Sequence, residues 1–85
     1  MSTAVIDGEL SLSSMPQQLG NLPRLQGTRI DMSRCPRIDS AGAAFLLELA
    51  RRNTKGGQKL EIINANEQAR GLLRFFELDE VFAIV

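Results

Sequence analysis

Between Gly27 and Ile63 the chain reads TRIDMS, then SAGAAFLLELARR, then KLEII. The first piece alternates Ile30 and Met32 with polar neighbours, as a half-buried strand does. The second is dense in Ala and Leu, both strong helix formers. It carries Arg51 and Arg52 where the negative end of the helix dipole falls, and Gly56-Gly57 follow. The third is again short and apolar. A helix between two short strands returns the chain to the same edge, so the strands lie parallel with the helix over one face. This strand–helix–strand succession restricts the architecture more than any other feature of the sequence.

The flanking segments extend the same rhythm. AVIDGEL, residues 4–10, reads as a strand containing Val5 and Ile6. The polar stretch SLSS leads into MPQQLGNLPRL, where Ser13 or Ser14 can cap a short helix that tolerates Pro16 in its first turn. Gly20 and Pro23 end it early. Asn66 opens a further helix, EQARGLLRFFEL, and EVFAIV closes the chain as a turn or short strand. The prediction is one α/β domain over residues 1–85, with helices covering a small, largely parallel sheet.

Absences narrow the chemistry. The chain has no histidine, which removes Ser-His-Asp triads, Cys-His pairs and the usual zinc sites. No P-loop is present. A single cysteine, Cys35, has no neighbouring base to activate it and is expected to be structural. Ten basic residues balance ten acidic ones, so no general attraction to nucleic acid or anionic membrane is expected. No segment approaches the roughly 20 apolar residues of a membrane span, and the opening MSTAVIDGEL is unlike a secretory signal. The expectation is a cytoplasmic, non-enzymatic chain with no metal or cofactor and no direct membrane insertion.

At 100° per residue, Ala43, Leu46, Leu47 and Ala50 form the expected sheet-facing stripe of the central helix, with Glu48 and Arg52 opposite. Ala41 and Phe45 fall beside these faces. Two readings of Phe45 stand level: core, if the phase is shifted by part of a turn, or an exposed contact spot with Ala41. In the last helix Ala69, Leu72, Leu73 and Phe76 define a core stripe. Phe75 at its border is assigned to the core as well.

The start of the central helix, Arg37-Ile38-Asp39-Ser40-Ala41-Gly42, is the candidate site. Ser40 can accept a hydrogen bond from a free amide of the first turn, and a cap alone accounts for it economically. The same free amides and the positive dipole end also favour a phosphate or a partner's anionic group. A phosphoserine there would stand beside Asp39 and near Arg34 and Arg37. Gly42 is expected to leave the backbone uncovered, so that a partner can approach closely.

The segment IDMSRCPRIDSAGAAFLLELARR, preceded by GELSLSSMPQQL and followed by LEIINANEQARGLLRFFELDEVF, resembles the STAS family of sulfate transporters and anti-sigma factor antagonists. The resemblance runs from Gly8 to Phe82. It implies a small sheet with helices on one side and a partner-binding loop at Asp39-Ser40. In the anti-sigma antagonists the serine at the place of Ser40 is phosphorylated by the anti-sigma factor, a kinase. In the MlaB-type branch the domain sits on the cytoplasmic ATPase of an ABC transporter that maintains outer-membrane lipid asymmetry. The loop SRCPRIDSAGAAFLLELARR is nearer to this second branch, including Arg37 and the lack of a second hydroxyl at Ala41.

That resemblance implies a partner ATPase and, through it, a membrane permease, which would hold the chain peripheral to the inner membrane. Arg37, Asp39, Ser40, Ala41, Gly42 and Phe45 are the residues expected at the contact. STAS domains carry a further strand before the GEL segment, and here only Met1 to Asp7 precede it. The N-terminal edge strand is therefore expected to be missing or the edge exposed, which would let two copies pair through it.

Overall fold

The computed structural model describes residues 3–55 and 57–85. Four strands alternate with three helices in chain order: β1 (Thr3–Asp7), α1 (Met15–Asn21), β2 (Arg29–Arg34), α2 (Ser40–Asn53), β3 (Leu60–Ile63), α3 (Glu67–Phe75) and β4 (Phe82–Ile84). Short 3-10 turns precede and follow α1 and precede β4. The strands lie in the order β1-β2-β3-β4, and every pair is parallel.

This order fixes where the helices go. Each crossover moves one strand in the same direction, and right-handed crossovers then place all three helices over one face. The strand burial follows that rule. Ala4, Ile6, Ile30, Met32, Leu60, Ile62 and Phe82 are buried beneath the helices. Thr3, Val5 and Asp7, with Arg29, Asp31, Glu61 and Ile63, occupy the opposite face and remain partly or fully exposed. Across it Arg29 Nε donates to Glu61 Oε1 at 2.9 Å. Phe82, fully buried, shows that the closing EVFAIV segment is a core strand rather than a turn.

The helix ends are built as their residues suggest. Asn66 Oδ1 caps α3 by accepting from Ala69 N at 2.9 Å. Thr54 closes α2, its hydroxyl donating to the Ala50 carbonyl at 2.6 Å. Gly57 follows at φ +82°, a conformation natural to glycine, while Gly56 lies outside the described residues, as do Met1 and Ser2.

Two helix faces differ from expectation. In α2 the buried residues are Gly42, Ala43, Phe45, Leu46, Leu49 and Ala50, whereas Leu47 is 39% exposed. The phase is turned by part of one turn. The cause is Gly42: a Cβ there would lie 2.2 Å from the Leu10 carbonyl oxygen, so this glycine must face the β1–α1 connection. Phe45 and Leu49, three and seven residues on, are thereby carried inward. Phe45 is core, and the contact-spot reading of it is excluded.

In α3, Ala69 and Leu73 are buried as expected, but Phe76 is 44% and Phe75 is 79% exposed. The helix ends at Phe75, and Glu77 turns the backbone left-handed at φ 59°, so the helical phase no longer applies to Phe76. The two rings pack edge to face instead, with centroids 5.3 Å apart.

Candidate functional site

The corner ahead of α2 is assembled from three remote segments. Leu10 pairs in parallel with Ile38 beyond the ends of β1 and β2. Leu10 N donates to the Arg37 carbonyl, and Asp39 N donates to the Leu10 carbonyl, both at 3.1 Å. From the other side, Gln68 of α3 treats Ile38 as a second strand would. Its Oε1 accepts from Ile38 N at 3.0 Å, and its Nε2 donates to the Ile38 carbonyl at 2.8 Å. Asn66 Nδ2 adds a bond to the Pro36 carbonyl at 2.8 Å. Every link is to backbone, so the loop's course is held whatever its outward side chains are.

Asp39, not Ser40, caps the helix. Its Oδ1 accepts from Gly42 N at 3.1 Å and its Oδ2 from Leu12 N at 3.0 Å. The two amides, Leu12 first, hold its carboxyl below the usual value of 3.8, with a smaller contribution from the Arg37 guanidinium. A carboxylate accepts both bonds at once, where a serine hydroxyl offers one oxygen. Ser40 is thus the first helical residue; it is exposed, and its hydroxyl has no hydrogen-bond partner among the described residues.

The remaining expected residues divide. Arg37 is exposed beside Asp39, and Ala41 is half-buried. Gly42 is buried against Leu10, which corrects the expectation that it leaves the backbone open to a partner. Its role is to let α2 reach the Leu10 segment. Phe45, 3% exposed, lies in the core and supplies no outward area.

Other residues supply the apolar surface around Ser40. Ala44 and Leu47 follow it at four and seven positions on the same side of α2, both exposed. Leu12, 73% exposed, is tied to Asp39 through its own amide. Sequence reasoning passed over Leu12 as part of a polar stretch and placed Leu47 inside. The detectable signal was Gly42, whose need for close approach sets the phase of α2.

Cys35 is buried, its thiol donating to the Arg37 carbonyl at 3.4 Å. Burial pushes its pKa above the ordinary thiol value, which disfavours the nucleophilic thiolate. Among the described residues no group of three or more His, Cys, Asp or Glu is placed to hold a metal ion. Surface clefts lie away from Ser40, one between Leu22, Leu25, Arg52 and Lys55 at the far end of α2, another between Asp7, Glu9 and Gln18. No helix of the described residues is long and apolar enough to cross a membrane.

A parallel sheet covered on one side, with a backbone-clamped helix start presenting a hydroxyl and an apolar rim, defines a small α/β module. The family described as "Mlab, STAS domain" matches residues 4–85, and the chain belongs to that STAS family. Searches of curated proteins and of solved structures gave no match. Domains of this family are generally non-catalytic.

Proposed function

We propose that this STAS domain is a non-enzymatic subunit that binds the cytoplasmic ATPase of a phospholipid-transporting ABC complex. It supports the assembly and activity of a system that maintains outer-membrane lipid asymmetry. The observation that carries the reading is Ser40. It stands exposed on a corner clamped by Leu10, Asp39 and Gln68, with Leu12, Ala44 and Leu47 around it and Arg37 alongside. A preorganised polar point inside an apolar rim loses little ordering entropy when a partner docks. The match to the MlaB-described family supports the transporter branch.

In this reading the domain reaches the inner membrane only through the ATPase and its permease. Native complexes recovered on the tagged full chain should contain both. Recovery of an anti-sigma kinase without a transporter ATPase overturns the assignment.

A second reading, an anti-sigma factor antagonist switched by phosphorylation, is favoured by one observation. The Ser40 hydroxyl is exposed and unengaged, whereas a serine acting as the cap would be occupied. Phosphate there would set up to two negative charges beside the Asp39 carboxylate and reverse what the corner attracts. Incubation with a cognate kinase and ATP should then add one phosphate by intact mass, and Ser40→Ala should abolish it. Unmodified protein under all growth conditions removes this reading.

A further inference from the structure

Among the described residues β1 is an edge strand with β2 as its one sheet neighbour. Its outer row of backbone N–H and C=O groups has no partner strand among the described residues, although the Asp7 carbonyl at its end accepts from Gln18 Nε2 at 3.0 Å, and such a row is a template for another strand. The opposite edge, β4, is three residues long, which is itself a common protection against pairing. β1 has five residues and keeps its alternation throughout, exposed at Thr3, Val5 and Asp7 and buried at Ala4 and Ile6. The irregularity between β1 and β2 is taken up on the β2 side, where three steps from Asp31 to Arg34 match two from Val5 to Asp7.

That alternation reads the same in both directions about Val5. We infer that β1 pairs antiparallel with β1 of a second copy across a two-fold axis at Val5, joining two four-stranded sheets into one. In this register every exposed residue meets an exposed one and every buried residue a buried one, so both helix layers stay on the same side. Val5 meets Val5 of the partner subunit. Thr3 meets Asp7 of the partner subunit, and its hydroxyl can donate to that carboxylate.

Charge complementarity selects the register and the partner. Along the outer face, Glu61 and Arg29 of one copy lead to Thr3, then to Asp7 and Arg34 of the partner subunit, so charge alternates across the seam. Asp7 is free to take part, since its side chain is 80% exposed and Arg34 stands 4.0 Å away. Sliding one strand by two residues brings Asp7 opposite Val5 or removes it from the pairing, and shortens the overlap. Five residues a side make a small interface, so the dimer is concentration-dependent rather than obligate.

Sedimentation velocity on the full chain over a wide concentration range tests the inference, which does not rest on the ATPase reading. The weight-average mass should rise towards the dimer with concentration. Val5→Lys sets like charges directly opposite each other and should hold the protein monomeric. Thr3→Asp should weaken the dimer. Thr3→Lys, opposite Asp7 of the partner subunit, should tighten it on the order of fivefold. Both positions of change, Thr3 and Val5, are exposed, and far-UV circular dichroism with the denaturation midpoint confirms that each variant folds. Slower hydrogen exchange of β1 amides at high concentration adds direct support. A monomer at every concentration, or a dimer indifferent to all three substitutions, overturns the proposal.

Discussion

The Asp39 carboxylate and the Leu12 amide, 27 residues apart in sequence, meet at 3.0 Å, so one side chain both caps α2 and fixes the turn that leads into α1. Replacing it by alanine frees two backbone amides at one stroke. Asp39→Ala is expected to lower the melting temperature on the order of 5 °C or more and to loosen the loop carrying Leu12. Thermal unfolding followed by circular dichroism measures the first effect, and amide exchange at Leu12 and Gly42 the second. Ser40→Ala, at a hydroxyl without a partner, should leave the melting temperature nearly unchanged.

Gly42→Ala is predicted to be far more damaging than a single methyl suggests. The new Cβ would stand 2.2 Å from the Leu10 carbonyl oxygen and 2.9 Å from the Leu10 Cβ, and both belong to a segment pinned by Ile38. Either α2 or the Leu10 strand extension must shift. Urea denaturation should show a loss of about 1–3 kcal/mol or more. A neutral result would mean that the two segments part easily.

The aromatic residues separate core from surface. Phe45→Ala should cost about 3–5 kcal/mol, because Phe45 is 3% exposed beside Leu46 and Leu49. Phe75→Ala, at 79% exposure, should stay within about 0.5 kcal/mol of the parent. The same denaturation experiment decides both, and equal effects would contradict the phase of the helices described above.

At the proposed ATPase contact, Leu12→Asp and Leu47→Asp should leave stability within about 1 kcal/mol while weakening binding at least tenfold. Titration calorimetry with the purified ATPase reads the affinity. Binding unaffected by either change would move the contact away from the Ser40 corner.

Acid should destabilise the fold in a defined window. The Leu12 and Gly42 amides lower the pKa of Asp39, and the Ser33 amide with the Asn64 side chain lowers that of Asp31. Hydrogen bonds from Arg51 and Arg52 bring Glu48 down to about 2. For each depressed carboxyl, the stabilisation is complete above the unfolded value and is lost as pH falls through the folded one. Stability should therefore be level above about pH 5 and decline from the ordinary carboxyl range towards about pH 2. Asp39→Asn retains an oxygen acceptor for the cap without the titration and should flatten part of the decline, as denaturation midpoints against pH would show.

Much of this was legible along the chain because it depends on neighbours in sequence. The alternation of strands and helices, the early end of α1 at Gly20 and Pro23, and the cap at Asn66 all follow from local propensity and patterning. So did the position of the corner at Asp39-Ser40, whereas helices on one side were expected only from the resemblance to the STAS family. The phase of α2 did not, since Gly42 could be read equally as an uncovered backbone or as a contact. Only the presence of Leu10 against it decides which. Phe76 was misplaced because a left-handed residue at Glu77 ends the helical register, and no local rule places that turn; Phe75 is still helical and lies on the side of α3 away from the buried Ala69 and Leu73.

Sequence by itself determined the architecture: strands alternating with helices at this spacing build a largely parallel sheet covered by helices. Tertiary structure decided the site. It assigned the cap to Asp39, whose two oxygens serve amides from segments 27 residues apart, and so left Ser40 unengaged. It also turned Phe45 inward and brought Leu12 and Leu47 out. The physical reason is that hydrogen bonds and close packing between remote segments, here Leu10 with Gly42 and Gln68 with Ile38, have no trace in local periodicity.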